Sequence, residues 1–165
     1  MTNKQNIFNV IEKEIGVLKA LHSKITPEML SFSPYEGMRT TEEILQYLTW
    51  VSSATLSFFL LEDKSKADDV FTNAYENSKS ATYENFKQRM GAELIKMKEL
   101  FEQFTEEDLL TREVLLPWQQ PMILGQALME TIIKWLSGYK MQLFIYMKQN
   151  GIKLDTGDCW IYTEK

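Results

Sequence analysis

The segment after Pro121 runs to Asn150 without a proline, and its apolar residues recur at three- and four-residue steps. A helix of roughly 28 residues, at about 1.5 Å per residue, is about 40 Å long. Gly151 stands where such a helix ends. Three further stretches carry the same period. The first spans about Asn3 to His22, with Ile7, Val10, Ile11, Ile15, Leu18 and Leu21 on one face. The second opens with a capping box, Thr40-Thr41-Glu42-Glu43, and runs to about Leu61. The third runs from near Ser80 to about Phe104, with Phe86, Met90, Leu94, Met97 and Phe101 in one stripe. The expected fold is therefore all-α, a four-helix bundle in one domain over residues 1–165.

The connections refine that expectation. Thr26 to Arg39 holds two prolines and a glycine, Asp63 to Lys79 is long and polar, and Thr105 to Gln120 includes a short Thr-Glu-Glu-Asp turn. Long connections permit crossovers in place of a simple up-and-down order. The tail LDTGDCWIYTEK reads as a turn followed by an extended strap through Trp160, Ile161 and Tyr162. No strand alternation and no internal repeat is visible.

Composition removes several functions. A chain of 165 residues can bury close to ~70 % of its unfolded surface and needs no disulfide or metal to fold. Its net charge of −5, with no basic run, argues against nucleic acid and against anionic membrane as partners. One cysteine, Cys159, excludes an internal disulfide and a cysteine-based zinc site. With no signal-peptide core and no membrane-length apolar run, a reduced cytoplasm is the expected compartment. One histidine, His22, excludes a site of two or three histidines. At the end of the first helix it reads as a favourable polar or cationic group.

On a helical wheel, Leu128, Ile132, Trp135, Tyr139, Leu143 and Tyr146 share one arc, with Tyr139 near its centre. In the second helix Ile44, Tyr47, Val51, Ala54 and Phe58 group together. Tyr47, Trp135 and Tyr139 are thus expected to converge on the interior. They are either core aromatics with one hydrogen-bond partner each, or the lining of a ligand cleft.

The stretches "GMRTTEEILQYL" and "LPWQQPMILGQALMETIIKWLSGYKMQLFIYMKQNG" resemble the DinB-like superfamily of damage-inducible, four-helix metalloproteins. That family carries a histidine in its capped second helix and H-x-x-x-H followed by R-G-Q-L in its last. The resemblance places the three metal-binding positions on Tyr47, Trp135 and Tyr139, where "YKMQL" stands for "HRGQL". Gln142 keeps the motif's glutamine, and Lys140 keeps only the charge of its arginine. An indole N–H has no lone pair to give, and a neutral phenol of pKa about 10 is a poor ligand. The thiol-dependent transferase and isomerase chemistry implied by the family would run through that metal. The expectation here is no metal and no cofactor. Glu42, Glu43 and Glu130 read as solvated carboxylates and Asp155 and Asp158 as turn formers, so no replacement site is expected.

Three readings remain open. One is a binding module for a small apolar or aromatic ligand, with Trp118 of "LPWQQP" as a lid or merely a loop anchor. Another is a metal-independent transferase or isomerase with Tyr139 or Tyr47 as general acid and Gln142 orienting substrate. The third is a structural or interaction protein with the cleft packed solid. On the far face of the last helix, Gly138, Met141 and Ile145, with Phe144 at their edge, predict a two-fold homodimer.

Overall fold

The structure, a computed structural model, describes residues 2–162. Helix α1 spans Asn3–His22, with the Thr2 hydroxyl accepting from Gln5 N. The second predicted helix is two: α2, Thr41–Leu48, and α3, Val51–Leu60. Its entry is as expected, since Thr40 Oγ1 accepts from Glu43 N at 3.2 Å and Glu43 Oε2 accepts from Thr40 N at 2.7 Å. The break at Thr49 and Trp50 has one local and one distant cause. The Thr49 hydroxyl donates to Gln46 O at 2.7 Å, and a carboxylate from another helix, Glu93, accepts from Ser53 N at 2.7 Å.

Where a polar connection was expected, α4 forms over Ala67–Ser78. Ala67, Val70, Phe71 and Ala74 give it a half-buried stripe, and the Phe71 ring lies 5.6 Å from that of Phe58. Helix α5, Phe86–Glu102, starts later than predicted, because Thr82 N donates to Asn85 Oδ1 at 2.9 Å and holds 80–85 as turns. The Thr-Glu-Glu-Asp turn is helix α6, Glu106–Thr111, with its own capping box between Thr105 and Asp108. Strands appear where none was expected: β1, Glu113–Leu115, pairs antiparallel with β2, Pro121–Ile123. This hairpin holds up the loop that carries Trp118.

The last long helix begins as α7, Leu124–Leu128, passes through a π turn at Met129–Ile133, and continues as α8, Lys134–Gln149. Thr131 Oγ1 donates to Ala127 O at 2.6 Å inside the turn. A π turn inserts one residue, so everything after it is rotated by about one residue, about 100°, from an ideal wheel. Leu136, Lys140, Leu143 and Met147 therefore face the core, and Tyr139 does not take the central interior position predicted for it. The helix ends at Gly151, φ 79°, where Ile152 N donates back to Met147 O at 3.0 Å. In the tail, α9, Gly157–Trp160, replaces the start of the expected strap. It buries Cys159 and ties Asp158 to Lys24, while residues 163–165 of that strap lie outside the described residues. The Tyr162 ring rests on Gly16, where an added Cβ would meet it at 2.6 Å.

Helix α1 packs against α5 and α8, and the α2–α3 pair packs against the same two. The first two long helices are thus diagonal across the bundle, and Ile25 to Arg39 is a crossover. The core joins Ile11, Ile15 and Leu18 to Ile44 and Leu48, to Phe86 and Met97, and to Ile132, Leu136 and Leu143. No helix among the described residues is long and apolar enough to cross a membrane.

Candidate functional site

Helix α2 carries Tyr47 and α8 carries Tyr139 to one half-buried face, with ring centroids 4.8 Å apart. Across them lies Arg39, from the crossover just before the capping box. Its guanidinium is 4.3 Å from the Tyr47 ring centre and 5.5 Å from that of Tyr139. Arg39 Nη1 donates to the Tyr139 phenol oxygen at 2.7 Å. The position of Arg39 is fixed from below, since the buried Tyr146 hydroxyl donates to Arg39 O at 3.0 Å. Gln142 Nε2 in turn donates to that hydroxyl at 2.6 Å. Gln142 thus supports the loop under Arg39, and its amide is engaged there.

Burial is the main reason that the Tyr47 phenol is pushed up to about 12, and the adjacent Tyr139 adds to it against the opposing charge of Arg39. Tyr47 is a neutral phenol at any ordinary pH. Stacked guanidinium and aromatic faces attract each other through the ring quadrupole. Two phenols beneath a guanidinium cation are not a donor set for a divalent metal. Among the described residues, no group of three or more His, Cys, Asp or Glu side chains is placed to hold a metal ion.

Trp135 does not complete a trio with the two tyrosines. Its ring pairs instead with Trp118, with centroids 6.4 Å apart and planes at 60°. Trp118 is 53 % exposed, and its indole N–H donates to Gln120 Oε1 at 3.1 Å. On the other flank, Tyr47 meets Trp50 at 5.3 Å and Trp50 meets Tyr75 at 6.2 Å. The sequence-predicted residues thus divide into Tyr47 with Tyr139, Trp118 with Trp135, and Gln142 beneath.

Several residues take places that the sequence did not suggest. Lys140, predicted only to keep a charge, is buried, with Nζ 2.8 Å from Glu14 Oε2 and 4.3 Å from the Trp160 ring centre. His22, the last residue of α1, is a buried polar group at that helix end. It is buried between Tyr83 and Phe86, both at 4.7 Å, and its Nε2 lies 2.9 Å from Tyr83 O. Burial lowers its pKa and so favours the neutral ring, and among the described residues its Nδ1 has no hydrogen-bond partner. Arg39 lay within the quoted motif "GMRTTEE", but an arginine before an N-cap gives no sign that it will fold over two rings.

No family model matches the sequence, and no curated protein does. Solved structures do. The chain is similar to a DinB-like protein, YjoA, of Bacillus subtilis, with TM-score 0.66 and 21 % identity over 90 % of this chain and 93 % of that one. It is also similar to a proposed DinB family member of Exiguobacterium sibiricum, with TM-score 0.68 and 16 % identity over 96 % of this chain and 98 % of that one. Nearly end to end, then, the chain has the DinB-like helical-bundle fold.

Proposed function

We propose that the chain is a DinB-like protein that works without the family's metal and binds a small aromatic ligand on the face built from Tyr47, Tyr139 and Arg39. The observation that carries this reading is the guanidinium lying over two phenol rings at the positions where the resemblance expects metal-binding histidines. The face offers an aromatic ligand a cation, a phenol hydroxyl and ring surface together. Trp118 and Trp135 form a second aromatic pair at the start of α8. A tyrosine acid or base works best with a pKa near the operating pH, and Tyr47 at about 12 counts against the enzyme reading. The reading includes a cytoplasmic protein and a homodimer through Gly138, Met141 and Ile145, of which Gly138 and Ile145 are exposed and Met141 is half-buried.

Two measurements test it. Elemental analysis of protein purified without an affinity tag should find no stoichiometric transition metal. Titration with indole and with p-cresol should give saturable tryptophan-fluorescence changes that weaken in Arg39→Ala. A stoichiometric metal, or no saturable response to either probe, refutes the reading.

A further inference from the structure

Among the described residues, Glu93 is the only buried carboxylate, at 5 % exposure. The face described above makes no use of it. Its Oε1 accepts from Ser53 N at the start of α3, and it lines a cavity of about 280 Å³ between that helix start, the end of α4 and α5. Arg89 and Lys96 line the same cavity from α5, about one turn to either side of Glu93, and Trp50 and Asn77 stand on the opposite walls. Arg89 is engaged, donating to Asn77 O at 3.1 Å and to the Ser80 hydroxyl. Lys96 is exposed and forms no ion pair among the described residues, with Glu93 or with any other carboxylate. Two opposite charges thus face one small cavity without meeting.

The chemistry of those walls selects a ligand class. A lone amine would compensate Glu93 but would sit near the cations of Arg89 and Lys96. A lone acid would compensate Lys96 but leave a buried carboxylate beside it. A molecule that carries both charges compensates both walls. At about 280 Å³ the cavity is below the ~300–1,000 Å³ of pockets that enclose drug-sized ligands, which suits a molecule of amino-acid size. We infer that this cavity binds a small zwitterion, an α-amino acid or a close analogue, with its ammonium on Glu93, its acidic group on Lys96 and its apolar part against Trp50.

Burial pushes the Glu93 carboxyl up to about 7, with Lys96 opposing the shift. Among the described residues, Lys96 and Arg89 are the only charged lining residues besides Glu93, and α3 and α4 contribute none. An ammonium arriving beside Glu93 favours its ionised form, so binding near pH 7 should release protons.

The experiment is isothermal titration calorimetry of the full chain against the proteinogenic L-amino acids. For the tightest binder it adds the matching amide, which lacks the acid, and the deaminated acid, which lacks the amine. At least one amino acid should bind, and each analogue should bind at least tenfold more weakly. Glu93→Gln keeps an acceptor for Ser53 N, and Lys96→Gln changes only an exposed rim residue. Each should lose at least tenfold in affinity with an unchanged circular dichroism spectrum. Repeating the titration at pH 7 in buffers of different ionisation enthalpy should show the proton release. Absence of binding at millimolar concentration, analogues as good as the parent, or undiminished binding by both variants overturns the proposal.

Discussion

Replacing Glu93 by glutamine should change how stability depends on pH more than it changes stability itself. In the folded chain burial pushes the carboxyl up to about 7, against the ordinary 4.5 of a free glutamate. The native state therefore holds this proton more tightly than the unfolded chain does. Its contribution is complete below pH 4.5 and is lost as pH rises toward 7, beyond which it is constant. At about 1.4 kcal/mol per pKa unit, the loss is about 3 kcal/mol. Glutamine does not titrate and still accepts from Ser53 N, so wild type and variant should be about equal at pH 4.5 and diverge to about 3 kcal/mol in favour of the variant at pH 8. For a domain of this size that is roughly 6–12 °C in melting temperature. Burial also holds His22 below its usual range, and this makes stability rise with pH in a similar window. Both proteins contain His22, so it cancels in their difference. Urea unfolding of both proteins from pH 4.5 to 8 is the assay. A constant difference across the range refutes the reasoning. So does a variant that is less stable at pH 8, since the ionised carboxylate would then be worth more to the N-terminus of α3 than its burial costs.

Other substitutions test other parts of the structure. Tyr139→Phe removes the hydroxyl that accepts from Arg39 on a half-buried face, so it should cost no more than about 1 kcal/mol in thermal melts while weakening indole or p-cresol binding. A larger loss of stability would make that contact structural. Lys140→Met strands Glu14 beside a buried site and should cost about 3 kcal/mol in urea unfolding, with part recovered by adding Glu14→Gln. No recovery in the double variant would mean that the two charges are not coupled. Light scattering at micromolar concentration should show a dimer for wild type and a monomer for Met141→Lys with Ile145→Glu, and a monomeric wild type ends the dimer proposal.

Most of the fold was legible where local chemistry and tertiary packing agree. The Thr40 capping box, the stripe of Phe86, Met90, Met97 and Phe101, and the stop at Gly151 are all found where the sequence placed them. Helix α4 was legible too, since Ala67, Val70, Phe71 and Ala74 follow a helical step, but polar neighbours hid the period. The break at Thr49 and Trp50 was not, because part of its cause is a carboxylate forty residues further along the chain. Glu93 itself could not be found from a wheel that assigns charges to solvent. Within the candidate site, the pairing of Tyr47 with Tyr139 followed from the motif. The parting of Trp135 from them, and the roles of Arg39 and Lys140, depend on contacts that no spacing encodes.

The π turn at Met129–Ile133 sets the rotational phase of everything that follows it. Were the turn a regular α-helical one, Tyr139 would rotate into the position that Lys140 holds against Glu14, and Lys140 would rotate on toward the position of Met141. Half of the proposed ligand face and half of a buried ion pair thus depend on the same local geometry. Met129 and Glu130 are solvent-accessible, and neither takes part in the contacts described for Arg39, Tyr47 or Tyr139. Substitutions at those two positions that restored a regular α-helix would alter binding at Tyr139 from between two and three turns away, by turning the helix about its axis.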